Sequence, residues 1–148
     1  MHSKAVTIVG VYPSILETEQ ILNKLRAAGI RHSDVSCLIP ETLLDEHSHA
    51  QAHPEQAYSG LQWTDRVGEV FLPGLGQFIG SGPIKAATLH TAKAHETLVS
   101  TLHHMGVDLG VAERCKAELE RGRILVTIHT HDDESRKKAE TIICTKAA

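Results

Sequence analysis

The clearest strand signal in the chain is Ile124-Leu125-Val126-Thr127-Ile128-His129-Thr130. Its β-branched and aliphatic residues favour extended backbone, and Gly122 separates it from the charged segment that precedes it. Two other stretches have the same character, residues 5–12 and residues 34–39, and the second of them ends at Pro40. We therefore expect these three stretches to lie side by side in one sheet.

A helix is predicted between the first two strands, over residues 14–29. Ser14 stands three residues before Glu17, which is the spacing of a capping box, and apolar residues then recur at helical intervals. Gly29 follows as a C-terminal cap. A right-handed crossover through this helix would make the strands at 5–12 and 34–39 parallel members of the same sheet.

The rest of the chain continues the alternation of helices and strands. Residues 67–83 place glycines between apolar residues, which indicates two short strands around a tight bend. The chain changes character over residues 41–60, within which residues 45–56 are polar and aperiodic and are predicted to be a surface loop that can include short helical turns. Helices are expected over residues 83–105, over residues 110–121, and from Asp132 or Asp133 through Ile143.

This order predicts one α+β domain over residues 1–148, a ferredoxin-like sandwich. It comprises a βαβ unit, a glycine-rich hairpin, two helices, a strand and a C-terminal helix. We expect a four-stranded sheet with its helices on one face. The other face must then be covered by a loop, by the helix at 83–105 or by a second subunit, which leads us to expect a homodimer or larger assembly.

Composition excludes several classes of protein. The chain has 148 residues, a formal net charge of −3 and no long Lys/Arg run, which argues against binding to nucleic acid or to an anionic membrane surface. No apolar run approaches the roughly 20 residues that span a bilayer, and the N-terminus lacks the pattern of a signal peptide. Three widely spaced cysteines, without a CxxC pair, are typical of reduced thiols in the cytoplasm.

The glycine-rich segment is the first candidate site. Gly74, Gly76, Gly80 and Gly82 lie just before a predicted helix start, where free backbone N–H groups and the helix dipole favour an anion. The spacing matches neither a dinucleotide-binding fingerprint nor a P-loop. The alternative is a tightly packed turn that needs glycine for positive φ or for close backbone approach.

The eleven histidines are the second candidate feature. His47, His49 and His53 crowd one acidic loop, and imidazole together with carboxylate can hold a borderline metal. The alternative is a solvated polar loop without a metal, and no cofactor is predicted. His129 and His131 stand two apart on a strand, so their side chains should point to the same side.

A search for a catalytic nucleophile is negative. Ser14 is explained by helix capping, and Ser81 does not stand in the G-x-S-x-G pattern. Cys37 lies in an apolar strand, while Cys115 and Cys144 lie on predicted helices, and none has the electropositive setting of a reactive thiol. The sequence therefore predicts that the protein is not an enzyme.

Three stretches together resemble the bacterial general stress protein (heat-induced stress protein) domain family. They are residues 6–12 with the helix that ends at Ile30, the Pro-Gly-x-Gly segment 72–83, and residues 115–128 with their Glu-Arg-Gly-Arg-Ile-Leu-Val-Thr run. The resemblance spans most of the chain and implies a small cytoplasmic stress-associated protein. It carries no catalytic residues over to this sequence.

Two functions are favoured at this point, and an enzyme of unrecognised type is a third alternative that a deep cleft with two or more converging titratable side chains would support. The first is a non-enzymatic stress-associated protein that acts through self-association or through binding a partner. The second is a regulatory domain that binds a small ligand at the glycine segment or a metal at the histidines of the 47–53 loop.

Overall fold

The computed structural model describes residues 6–41, 43, 63–64, 68–72, 74–84 and 98–147, with the backbone alone for 144–147. The strands are β1 (Val6–Tyr12), β2 (Val35–Pro40), β3 (Gly68–Leu72), β4 (Gly76–Ser81) and β5 (Ile124–Thr130). The helices are α1 (Ile15–Ala27), α2 (Leu98–His104), α3 (Leu109–Glu120) and α4 (Asp133–Ala147), and a 3-10 turn covers His32–Asp34.

Side-chain caps fix where the helices begin. The Ser14 hydroxyl accepts a hydrogen bond from the Glu17 amide at 3.2 Å, so the predicted N-cap of α1 is confirmed. Asp108 accepts from the Gly110 amide at the start of α3. Asp132 accepts from the Ser135 amide at 2.7 Å at the start of α4, as the sequence predicted.

Within the described residues, five antiparallel strands form one sheet in the order β1-β5-β2-β4-β3. Strand β5 lies between β1 and β2 and pairs antiparallel with both, so β1 and β2 are parallel to each other as predicted. The expected hairpin is confirmed, with Leu72 opposite Gly76 next to the bend. The ferredoxin-like order is not confirmed, because this hairpin adds two strands beyond β2 and the sheet has five strands rather than four.

Helices cover both faces of the sheet. Helices α1 and α4 pack on the first face, and α2 and α3 pack on the second. Alternate residues of the central strands therefore enter different cores. On the first face these are Val35, Cys37 and Ile39 of β2 with Ile124, Val126 and Ile128 of β5; on the second they are Leu38 and Leu125.

The expectation that all helices lie on one face is therefore wrong. Every residue of β2 is buried, and β5 is buried at all positions except His129. A strand buried on both sides needs a packed layer on each side. The open face on which we based the expectation of a homodimer is occupied by α2 and α3 of the same chain.

Some predicted segments fall largely outside the described residues. In the predicted helix 83–105, Pro83 and Ile84 are helical and residues 98–104 form α2, while 85–97 lie outside the description. The predicted loop 45–56 lies outside the described residues, and Glu41 and Leu43, which precede it, are helical.

Candidate functional site

The four candidate glycines have two different structural roles. Gly74 and Gly76 form the bend between β3 and β4 with φ values of +84° and +106°, and a Cβ on either would meet nothing within 4 Å. Gly80 and Gly82 are packed instead. A Cβ on Gly80 would lie 2.7 Å from a Val70 methyl group, and one on Gly82 would overlap the Val35 carbonyl oxygen. Close packing, the alternative weighed from the sequence, therefore explains Gly80 and Gly82.

The bend opens onto a cleft of about 600 Å³, which we call the glycine-turn cleft. It forms where the end of β2, the β3–β4 bend and the C-terminal end of α3 come together. Its lining residues are Pro40, Glu41, Gly74, Leu75, Gly76, Gln77, Phe78, Leu119, Glu120 and Gly122. A cleft of this size, built on rigid strands and a helix end, is within the usual range of ligand sites.

The glycine-turn cleft is apolar at its base and acidic at its rim. Phe78 and Leu119 are buried, while Glu41 and Glu120 are exposed. No lysine, arginine or histidine is among the described lining residues. The nearby guanidinium groups of Arg121 and Arg123 both bind Glu118, at 3.4 and 3.3 Å. This electrostatic setting favours a cation over the anion that the glycine pattern suggested.

An exposed aromatic residue lies on the same hairpin as this cleft, on the opposite face of the sheet from the base of the cleft. Phe71 is 65% exposed on β3, the outermost strand on that side of the sheet. Its register partner across the hairpin is Gln77, which lines the cleft. Sequence reasoning missed Phe71, although a signal was present. Val70 and Leu72 point into the core, so the two-residue alternation of a strand places the phenyl ring between them on the outer side.

A second, smaller cleft of about 360 Å³ surrounds the end of β5, and we call it the histidine cleft. The rings of His129 and His131 meet edge to face with centroids 4.8 Å apart, so the expectation that they share one side is confirmed. His131 Nε2 lies 3.3 Å from Asp34 Oδ1, and Arg31 Nε donates to Asp34 Oδ2 at 3.1 Å. Asp132 and Ser135 complete the polar wall at the start of α4.

The hydrogen bonds of Thr7 determine the orientation of His129. The Thr7 hydroxyl donates its one proton to the Met105 carbonyl oxygen at 2.6 Å. It must therefore accept from His129 Nδ1, which lies 3.2 Å away. In the neutral ring this leaves Nε2 as the unprotonated nitrogen. The amide of Ser135 lowers the pKa of Asp132, so this carboxyl group stays ionised beside the imidazoles.

The other site predicted from the sequence is the metal site in the 47–53 loop. The proposed metal ligands His47, His49 and His53 lie outside the described residues. Among the residues that are described, no group of three or more His, Cys, Asp or Glu side chains is arranged to hold a metal ion. The side chains of the two clefts come from segments distant in sequence, so spacing alone could not have assembled them.

Burial suppresses the reactivity of two cysteines. It raises the pKa of the Cys37 thiol far above its ordinary range and that of Cys115 to about 11. A thiol whose pKa is raised by folding favours the protonated state. Its contribution to stability is therefore complete below the unfolded pKa, near 8.5, and declines as the pH rises towards 11.

We expect both thiols to react with a chromogenic disulfide at least about a hundredfold more slowly in the folded protein than in denaturant at neutral pH. The measurement uses a Cys144→Ser variant, so that only Cys37 and Cys115 report. Rapid labelling of either thiol under native conditions would contradict the burial described here.

Comparisons with known proteins identify no relative. No protein-family model, no curated protein sequence and no solved structure matches the chain. In the part of the chain that the structure describes, no helix has both the length and the apolar character needed to cross a bilayer.

Proposed function

We propose that the protein is a non-enzymatic binding domain of general-stress-protein type, acting in the cytoplasm, with the glycine-turn cleft as its binding surface. The observation that supports this most strongly is the convergence of three distant segments on one cleft, with buried apolar side chains at its base and carboxylates at its rim. The resemblance of residues 72–83 and 115–128 to the stress-protein family includes two of these segments.

Binding of a partner fits the geometry better than self-association. In the described residues the second face of the sheet is covered by α2 and α3, so a second copy is not needed to cover it. The cleft provides an apolar base and negative charge at its rim, and Phe71 adds an exposed aromatic ring on the outer face of the same hairpin. Interfaces draw most of their binding energy from such aromatic residues, and opposite charge on the partner supplies specificity.

These features define the partner by its chemistry. It is a peptide segment in which a lysine or arginine stands between apolar side chains. The cation would lie between Glu41 and Glu120, near the C-terminal end of α3, where the helix dipole also favours positive charge. The apolar side chains would contact Leu75 and the apolar base of the cleft.

The test uses two fluorescein-labelled peptides that differ in one residue, with arginine or glutamate between leucines. We expect fluorescence polarisation to show binding of the arginine peptide and not of its glutamate twin. Replacing both rim carboxylates (Glu41→Gln with Glu120→Gln) should weaken binding of the arginine peptide at least about fivefold, the contribution expected of two partly solvated ion pairs.

Glu113→Gln is the matched control, because Glu113 is exposed on the same helix, α3, but does not line the cleft. It should leave binding unchanged. Equal binding of both peptides, absence of binding, or an equal loss in the control and the double variant would reject this function.

The second candidate is regulation by a small ligand. It is favoured by the histidine cleft, which is lined by a guanidinium, two imidazoles and two carboxylates. The two candidates are separable, because they use opposite ends of the central strands β2 and β5 and share no lining residue.

A further inference from the structure

We propose that the histidine cleft is a binding site for a small oxyanion, occupied when its imidazoles are protonated. The site stands apart from the glycine-turn cleft and does not depend on the function proposed for it. It rests on the side chains that line the space of about 360 Å³ between the 29–34 segment, the end of β5 and the start of α4.

Hydrogen-bond donors converge on this space from two elements. Arg31 uses Nε for Asp34, which leaves its terminal NH₂ groups as donors. His129 is held through Nδ1 by Thr7, so protonation adds its new N–H at Nε2. Ser135, at the first turn of α4, donates its amide and its hydroxyl group to the Asp132 carboxylate and so holds that carboxylate in place. Donors of these types are the usual partners of sulfate, phosphate and carboxylate groups.

The sign of the charge in the cleft depends on its histidines. With neutral imidazoles, one guanidinium faces the two carboxylates of Asp34 and Asp132. With both imidazoles protonated, three cations face the same two carboxylates. Protonation of both imidazoles therefore changes the cleft from net negative to net positive. Both carboxylates are already engaged, Asp34 by Arg31 and His131, and Asp132 by the Ser135 amide.

The other charged groups on the surrounding elements have described partners or lie exposed nearby. On α4, Asp133 pairs with Arg136 and Glu134 with Lys138. At the end of α2, which contacts Thr7 through the Met105 carbonyl, His103 Nδ1 lies 3.2 Å from the Val107 carbonyl oxygen. The remaining titratable groups among the described side chains of these elements are all exposed: His32 on the 3-10 turn, His104 on α2, and Lys137 and Glu140 on α4.

Among the described residues, no group of three or more His, Cys, Asp or Glu side chains has a geometry that could hold a metal ion. A metal ion therefore does not compete with an anion for these described side chains. The two imidazole rings are in edge-to-face contact and do not converge on one point. This arrangement suits an anion that accepts several separate hydrogen bonds.

The test is a titration with sulfate, which remains a dianion throughout, so any pH dependence reports on the protein. Amide chemical shifts are recorded near pH 6 and near pH 8 at constant ionic strength, with chloride as the balancing salt. We expect sulfate to shift the amides of Gly29, His131 and Ser135 near pH 6, with apparent affinity about tenfold weaker near pH 8.

The variant His129→Gln with His131→Gln should lower the affinity near pH 6 by about tenfold, and His104→Gln, an exposed histidine outside the cleft, should leave it unchanged. His131→Gln alone, at a half-exposed position, provides a variant that keeps the core intact. Equal affinity at the two pH values, sulfate-induced shifts confined to other residues, or unchanged binding in His131→Gln and in the double variant would overturn the proposal.

Discussion

Replacing Gly82 with alanine is expected to destabilise the domain by at least about 3 kcal/mol. Gly82 has a φ of +74°, and its added Cβ would overlap the Val35 carbonyl oxygen and lie 2.9 Å from the carbonyl carbon. Both groups are backbone, so no side-chain rotation relieves the overlap. The adjacent hydrogen bond from the Ile84 amide to Ser36 Oγ, at 3.0 Å, holds the two segments together.

Gly29→Ala is the matched control, because Gly29 has a similar φ of +86° and nothing within 4 Å of the added Cβ. It should destabilise by only about 1 kcal/mol, the usual difference for alanine in the left-handed region. Urea unfolding of both variants measures the difference. A similar loss in both would show that conformation alone, and not the close approach of β2 to Gly82, sets the requirement for glycine.

The second large effect concerns the layer on the second face of the sheet. Leu102 of α2 is fully buried against Leu38 and Leu125, so Leu102→Ala should destabilise the domain by about 2–5 kcal/mol. The loss combines the transfer free energy of the removed methyl groups with the cavity that remains. Urea unfolding, monitored by circular dichroism, measures it.

Leu109→Ala serves as the control, since Leu109 begins α3 in the same layer but is 50% exposed. We expect a change below about 1 kcal/mol there. A loss at Leu102 no larger than at Leu109 would mean that α2 does not pack on the sheet, and the second face would again require another cover.

Local signals made most of the secondary structure predictable. Residues 124–130 form the predicted strand with the same bounds, and the caps at Ser14 and Asp132 are confirmed. These features depend on neighbours within a few residues, which a sequence displays directly. The two-residue spacing of His129 and His131 likewise predicted that their rings share a side.

The layers were not predicted, although a signal for them was present. Ile124, Leu125 and Val126 are consecutive apolar residues, and such a run indicates a strand buried on both faces. The prediction of helices on one face followed the ferredoxin-like arrangement and did not take this run of apolar residues into account. The strand order also escaped prediction, because β5 is inserted between β1 and β2 by pairings between residues more than 80 positions apart.

The clefts depend on the same distant pairings. The glycine-turn cleft combines Pro40 and Glu41 with residues 74–78 and with the end of α3. The histidine cleft requires the register that brings Asp34 to His131. Motif spacing pointed to Gly74 and Gly76 as part of a site, but the charge of that site depends on Glu41 and Glu120, which no local pattern connects with the glycines.

Chemical-shift mapping with the arginine-centred peptide tests directly whether the glycine-turn cleft binds a cation held between apolar side chains. We expect this peptide to shift the amides of Gly74, Gly76, Gln77 and Gly122, and the glutamate twin to leave them unchanged. Shifts confined to residues outside the glycine-turn cleft, or the same shifts with both peptides, would contradict it.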